Sequence, residues 1–340
     1  MIQFKKYNSI ENTFDEGFME IIFIEGFDKQ EFVVQEKVHG SNVCFMTDGE
    51  TVSFGKRSGF VEEGEKFYNY EKLFERYTDK VIAFFSAVKK ERPEIETLSI
   101  FGEMFGGTYP HPDVVNDRKT MAIQKGVFYC PDHEFYAFDL YVTTSDTGFF
   151  LSVDESNAFF EQGGFFYAKT LFRGDLNQCL QYPNDSLSLI SDWLGLPPLE
   201  DNICEGIVIR PVQSTYLSNG SRLLLKSKNA HFAEKKSNKK REPKTHTTPF
   251  YGERLNELVE EVEQYVTENR LNNVVSKIGH VSIPKETGKL IGHFSKDILD
   301  DFLKEYSGRY AALEKMEQKI LNRHVNTLAM RMVKKIYFPS

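Results

Sequence analysis

Up to about residue 230 the chain alternates short apolar runs, rich in β-branched and aromatic residues, with clusters of Gly, Pro and Asn. Runs at 31–36, 42–46, 98–101, 135–142, 203–209 and 222–225 predict strands. Two stretches follow a helical period instead. In YEKLFERYTDKVIAFFSAVKK the apolar positions Tyr70, Leu73, Phe74, Tyr77, Val81, Phe84, Phe85 and Val88 step by three or four, which predicts one buried helical face. Residues 154–162 predict a shorter helix, stopped by Gly163 and Gly164. Beyond residue 250 the period is helical throughout: Leu255, Leu258, Val259, Val262 and Val266 form one face, and 310–336 predicts a long terminal helix. The expected organisation is an α+β domain at 1–233, a linker at 234–249 and a small all-α domain at 250–340.

Charge sharpens those boundaries. The whole chain of 340 residues carries 42 basic and 50 acidic side chains, a net of −8, which argues against a protein that coats nucleic acid. The mean hides a gradient. Residues 1–221 hold 19 basic and 35 acidic side chains, 222–245 hold nine and two, and 246–340 hold 14 and 13. A basic run such as KKSNKKREPK is either a solvated linker or a phosphate contact. An apolar fraction of 40% and a charged fraction of 27% exclude disordered and fibrous classes. No apolar run is long enough to span a membrane, and the first residues lack the pattern of a signal or transit peptide. A cytoplasmic protein, or one of a host cytoplasm if viral, is expected. Cys44, Cys130, Cys179 and Cys204 form no C-x-x-C pair, which weighs against a zinc ribbon or a disulfide framework.

Nucleotide-binding loops of the P-loop and dinucleotide kinds are absent from the sequence. Lys37 suggests another route to phosphate chemistry. It ends the apolar strand EFVVQEK and precedes Val38, His39, Gly40, Ser41 and Asn42. A strand-end lysine beside a glycine turn is most often a surface residue, but it can also aim its amine into a cleft as a nucleophile. Glu103 and Glu205 are acidic residues beside glycines at strand ends. They are either exposed charges or hard oxygen ligands suited to Mg²⁺ or Mn²⁺. Lys226 and Lys228 flank Ser227, so a strand puts both ammonium groups on one face.

The segment Glu36-Lys37-Val38-His39-Gly40-Ser41-Asn42 resembles the nucleotidyltransferase motif I of ATP-dependent RNA ligases, in the branch of T4 RNA ligase 2 and the RNA-editing ligases. Further resemblances follow in order: Lys56-Arg57-Ser58, then Phe101-Gly102-Glu103-Met104-Phe105-Gly106 for motif III, and Tyr136-Ala137-Phe138-Asp139 for motif IIIa. Glu205-Gly206-Ile207-Val208-Ile209-Arg210 resembles motif IV and Leu225-Lys226-Ser227-Lys228 motif V. The likeness covers roughly residues 30 to 230 and implies an adenylation domain of antiparallel sheets with flanking helices.

By that resemblance Lys37 attacks ATP and carries AMP covalently, with His39 supporting this and later steps. Arg57 clamps phosphate or ribose, Glu36 accepts from the adenine amino group, Asn42 contacts the nucleotide and Phe138 stacks on adenine. Such a stack is worth about 1–3 kcal/mol, although an aromatic in this strand is ordinarily core. Asp139 orients a catalytic group or water. Lys226 and Lys228 contact the nucleotide phosphates and favour the neutral amine of Lys37. Glu103 and Glu205 hold Mg²⁺ or Mn²⁺. Arg210, expected at the nucleotide, departs from the Lys of the phage relative, and Ser41 replaces Thr.

The implied activity seals RNA 3′-OH and 5′-phosphate ends, expected as nicks in duplex RNA, through an adenylylated 5′ end. A monomer with no membrane association is expected, its helical domain assisting end recognition. The same superfamily includes DNA ligases and capping enzymes, disfavoured here by His39 and by a helical region in place of an OB-fold after motif V. A non-catalytic RNA-binding relative is disfavoured by the retained lysines and glutamates.

Overall fold

The computed structural model describes residues 2–233, 253–279 and 281–338. The basic linker expected at 234–249 lies outside the described residues. The chain divides into two compact units, Met1–His231 and Phe232–Ser340.

The first unit opens with β1 (Glu11–Asn12) and α1 (Glu16–Ile24). Then come β2 (Phe32–Lys37), β3 (Ser41–Thr47), β4 (Val52–Lys56) and β5 (Gly59–Phe60). A long helix, α2 (Tyr70–Glu91), leads into β6 (Thr97–Gly106), β7 (His133–Thr143) and β8 (Gly148–Phe150). The unit continues with α3 (Val153–Gln162), β9 (Thr170–Gly174), α4 (Leu176–Leu180) and α5 (Ile190–Trp193). It ends on β10 (Gly206–Pro211) and β11 (Leu225–Lys228). The strands form two sheets, in the orders β1-β11-β10-β2-β9 and β5-β4-β3-β6-β7-β8. Pairing is antiparallel throughout except between β1 and β11. The fold is therefore α+β with antiparallel sheets.

Period-two alternation gives each sheet two distinct faces. On the six-stranded sheet Val43, Phe45, Ile100 and Leu140 face α2 and α3, which contribute Leu73, Tyr77, Val81, Phe84, Phe159 and Phe160. The five-stranded sheet turns Phe32, Val34, Ile207 and Ile209 toward α1 and α4. Cys44, Met46 and Phe101 point the other way and meet Leu224 and an N-terminal arm carrying Ile2, Phe4, Tyr7 and Ile10. That small core fills the space between the sheets, so their polar strand ends open on one cleft.

Two local details depart from the sequence expectations. The strands expected at 203–209 and 222–225 lie at Gly206–Pro211 and Leu225–Lys228. Ahead of them, Glu205 is buried against Lys37 and Lys228, and Arg222 against Asp139. The helix α3 starts as its sequence signals, with Ser152 and Glu155 in a reciprocal capping box.

The second unit holds α6 (Glu253–Glu263), α7 (Glu268–Ile278), α8 (Thr287–Ala311) and α9 (Lys315–Tyr337). Its core draws Leu255, Leu258, Val259 and Val262 from α6, Phe294, Ile298 and Phe302 from α8, and Leu321, Val325, Ala329 and Val333 from α9. The single helix expected over 310–336 is interrupted. Tyr310 belongs to α8, Leu313 is buried in the intervening turn, and Glu314 starts α9 with a capping box to Glu317. All four cysteines are buried and free. No helix among the described residues is long and apolar enough to cross a membrane.

Phe45 is fully buried, with its ring on Phe54, Tyr77 and Phe135. Phe45→Ala should cost about 3–5 kcal/mol, read as a lower urea midpoint for the first unit with the slope unchanged.

Candidate active site

Strand register builds the centre of the cleft. Gly206 on β10 is paired with Lys37 on one side and Lys228 on the other, so the three positions stand abreast on one face. One step along, Val208 is paired with Lys226, which places Lys226 on that face too. Gly206 has φ +149°, and a Cβ there would lie 2.1 Å from the Ser227 carbonyl oxygen. Only glycine lets β11 approach this closely, and that approach carries Lys228 to its place.

Glu205, 1% exposed, is the focus of the cluster. Its Oε2 accepts from Lys37 Nζ at 2.6 Å and lies 3.4 Å from His39 Nδ1, while Oε1 lies 3.0 Å from Lys228 Nζ. Burial opposes its ionisation, yet Lys37, Lys228 and His39 together hold the carboxyl well below the usual carboxylate range. Lys37 keeps a side-chain exposure of 17%, so its amine remains reachable from the cleft. His39 is buried, and its backbone N–H donates to the Tyr129 hydroxyl at 2.8 Å. Gly40 permits the turn between them: a Cβ there would meet the Met104 carbonyl oxygen at 2.2 Å.

The six-stranded sheet supplies the opposite wall. Glu103 on β6 is paired with Asn42 on β3, both on the face away from α2. Burial, then the charge of Glu205, pushes the Glu103 carboxyl up to about 7, against the pull of Lys37 and Arg57. Arg57 donates to the Asn8 carbonyl at 3.2 Å, which ties the hairpin after β4 to the N-terminal arm. Glu36 points away from Lys37, as strand alternation requires. Its oxygens accept from the Ser188 hydroxyl at 2.6 Å and the Leu189 N–H at 2.9 Å, and burial raises it to about 7 despite both bonds.

Asp139 and Arg210 fall outside the Lys37 cluster. Asp139 is fully buried and accepts from Arg210 at 2.9 Å, Arg222 at 2.6 Å and the Tyr7 hydroxyl at 2.8 Å. Burial opposes its ionisation, but Arg210 and Arg222 hold it below its ordinary value. Arg210, 2% exposed, also donates to the Phe138 carbonyl at 2.9 Å. The sequence expectation gave Arg210 to the nucleotide. Its fork is instead committed beneath Phe138, where it braces one sheet against the other. Phe138 is half-buried, with its ring 5.1 Å from that of Tyr7.

Sequence reasoning missed four members of this arrangement: Tyr7, Tyr129, Ser188 and Arg222. Arg222 opens the basic segment in the sequence, but it sits on Asp139 and stacks 3.6 Å from the Phe150 ring centroid. None of the four has a local signal, since each acts on a residue 83 to 152 positions away.

No group of three or more His, Cys, Asp or Glu suited to a metal occurs among the described residues. Both Glu205 oxygens already face ammonium groups, and Glu103 on the facing sheet accepts from the Gly40 N–H and feels the charges of Lys37, Glu205 and Arg57. A hard cation therefore fits here only in company with phosphate oxygens, the usual manner of Mg²⁺, which takes one or two carboxylates and keeps water.

Comparison with known proteins identifies the family. Residues 30–228 match the family model described as RNA ligase, and residues 249–331 match that of the T4 RNA ligase 2 C-terminal region. The chain therefore belongs to the RNA ligase family, and the second match places it with the T4 RNA ligase 2 type. It is 28% identical over 378 residues to the mitochondrial RNA-editing ligase 2 of Trypanosoma brucei brucei, covering 97% of this chain and 90% of that protein. It is equally identical over 374 residues to mitochondrial RNA-editing ligase 1 of the same organism, covering 93% and 76%. Among solved structures, a mutant Naegleria gruberi RNA ligase with ATP and Mn matches at 17% identity and a TM-score of 0.45. That match covers 67% of this chain and 57% of the other.

Two outcomes follow from the charges. Asp139→Ala leaves two buried guanidinium groups unpaired and should cost about 3–5 kcal/mol in urea unfolding. Glu103 has a folded value of about 7, above its ordinary 4.5, so its ionisation opposes folding and its contribution to stability falls as pH rises between them. Glu103→Gln should therefore raise Tm relative to wild type at pH 8 and not at pH 4.

Proposed function

We propose that the protein is an ATP-dependent RNA ligase that joins a 3′-OH to a 5′-phosphate, with Lys37 as the residue that carries AMP. The observation that carries this reading is the convergence of Lys37, Lys228 and His39 on the buried carboxylate of Glu205. Two ammonium groups on one buried anion leave an excess of positive charge, and the site becomes a phosphate cradle once the carboxylate is engaged elsewhere.

Lys37 Nζ attacks the α-phosphorus of ATP. The N–P bond forms, the bond to the β-phosphate oxygen breaks, and pyrophosphate leaves. The attacking amine must be free of the Glu205 carboxylate, so Glu205 has to be engaged elsewhere as the phosphate enters. Lys228, with Lys226 on the same face, is placed to neutralise charge on the transferred phosphate. A divalent ion held by Glu103 and Glu205 together with the phosphates would supply further neutralisation. Arg57 reaches the same cleft from the hairpin, and Asn42 shares the wall with Glu103. Half-buried Phe138, braced by Arg210 and Tyr7, offers a ring edge for the base, and Glu36 with Ser188 supplies polar groups for its rim. His39 steadies Glu205 and the turn after the nucleophile.

AMP then passes from Lys37 to the RNA 5′-phosphate, and the 3′-hydroxyl displaces it. A nick in duplex RNA is the substrate that presents both ends side by side, which suits a single cleft built from one chain. The first unit performs the adenylation, and the helical unit acts on RNA in the later steps.

Incubation with α-labelled ATP and Mg²⁺ or Mn²⁺ should leave acid-labile label on the denatured protein. Lys37→Ala should abolish it, and label persisting in that variant would sink the mechanism. Glu205→Gln should reduce label by 100-fold or more, roughly the scale of losing one electrostatic group. Label from GTP but not ATP would point to a capping enzyme instead.

A further inference from the structure

Two segments that lie outside the paired strands close around the turn after Lys37. One is the connection 107–132 between β6 and β7, and the other is 184–204, which runs up to Glu205. The ends of the second segment meet: the Cys204 N–H donates to the Ser186 carbonyl at 2.9 Å, and Leu187 bridges to Ile203. The two segments are tied together at two points. The Tyr109 hydroxyl donates to the Pro197 carbonyl at 2.5 Å. Asn202 grips the Phe128 backbone from both sides, its side-chain oxygen accepting the N–H at 2.9 Å and its amide donating to the carbonyl at 2.7 Å. Asn202 is 7% exposed, and Asp201 before it has φ +57°. A non-glycine residue keeps that left-handed conformation where its surroundings hold it, and such strain gathers at working parts of a fold.

Each segment hands one hydroxyl to the strand and turn that carry Lys37. Tyr129, the neighbour of Phe128, accepts the His39 N–H at 2.8 Å, and Ser188 donates to Glu36 at 2.6 Å. The Ser188 N–H in turn donates to the Asn202 carbonyl at 2.8 Å. Asn202 is thus bonded to both arms, and neither Asn202 nor Tyr129 bonds to Lys37 or Glu205 in doing so. Tyr129 is 2% exposed, and burial with the nearby charges of Glu36 and Glu205 keeps its hydroxyl protonated. The His39 ring lies 3.4 Å from the Glu205 oxygen that also accepts from Lys37. A shift of the His39 backbone therefore moves its ring against the carboxylate that restrains the nucleophile. Misplacing a reacting group by about 1 Å can cost ~100-fold in rate.

We propose that Asn202 and Tyr129 are positioning residues for the attack of Lys37 on ATP, acting in series through the Phe128 backbone on the His39 N–H. The proposal rests on the ligase reading for the reaction, and it adds to that reading two residues outside the motifs that set its rate.

The test uses the full-length chain with Tyr129→Phe, Asn202→Ala and the double variant, each labelled by α-labelled ATP in a single turnover. Asn202→Asp, which keeps the acceptor for the Phe128 N–H and loses the donor, replaces Asn202→Ala if the latter melts below the assay temperature. At saturating ATP the fraction of protein finally labelled should equal wild type, while the rate of labelling falls by roughly 10- to 100-fold. The ATP concentration for half-maximal rate should stay within about 2-fold of wild type, because neither side chain is placed to bind nucleotide. The double variant should be no slower than the slower single variant by more than about 2-fold, as for residues acting in one chain. A wild-type rate per labelled molecule beside a lowered melting temperature would overturn the proposal and leave the two residues a purely structural role. A raised half-maximal ATP concentration at an unchanged maximal rate would overturn it by placing them at the nucleotide, and multiplied losses in the double variant would overturn the series. Wild type that takes no label refutes the ligase reading itself, an outcome separate from these, and the positioning role falls with it.

Discussion

Asp139 lies between the two sheets with no access to water, and it is the group on which the cleft depends. A buried carboxylate is costly to desolvate and is tolerated when its remaining lone pairs are filled and its charge is matched. Here Arg210 on β10, Arg222 before β11 and Tyr7 on the N-terminal arm all reach it from the opposing layer. The cluster does not need to be stabilising overall to be decisive, because any slip of one sheet past the other would strand a charge. Held this way, the face bearing Lys37, Lys226 and Lys228 opposes the face bearing Glu103 and Asn42. The candidate site is thus assembled by a contact in which none of Lys37's own neighbours takes part.

The two buried clusters have opposite compositions. Around Asp139 one acid serves two guanidinium groups whose planar forks suit fixed, dry geometry. Around Glu205 one acid serves two ammonium groups and an imidazole, all on side chains that can turn toward another anion. The first is built to stay and the second to be displaced. The basic character that begins at residue 222 is likewise divided: Arg222 and Lys228 are drawn onto buried carboxylates. Part of the apparent affinity for phosphate in that segment is therefore balanced within the fold.

Much of this was legible in the sequence where local patterns carry it. The helix α2 is read from its apolar steps, α3 from its cap and glycines, and the strand ending at Lys37 from the run before a glycine turn. Motif spacing brought Lys37, Glu103, Glu205 and Lys228 together on the page before register brought them together in space. What stayed hidden was long-range or displaced from pattern. The N-terminal arm has no strong period, yet Tyr7 bonds to Asp139 132 positions away. Arg210 sits at a motif position but turns to a partner that no local rule names. The turn at Leu313 hides within a continuous helical period because an apolar residue serves the core equally well in a turn.

The parallel pairing of β1 with β11 joins Glu11 to Leu225 and Asn12 to Lys226. During synthesis the arm emerges first and its partner strand more than two hundred residues later, which at 5–20 residues per second is roughly 10 to 40 s. Until then Glu11 and Asn12 have no strand to pair with and Asp139 lacks Arg222, although Tyr7 can already pack on Phe101. The brace between the two sheets is therefore complete only once the last strand of the first unit has been made.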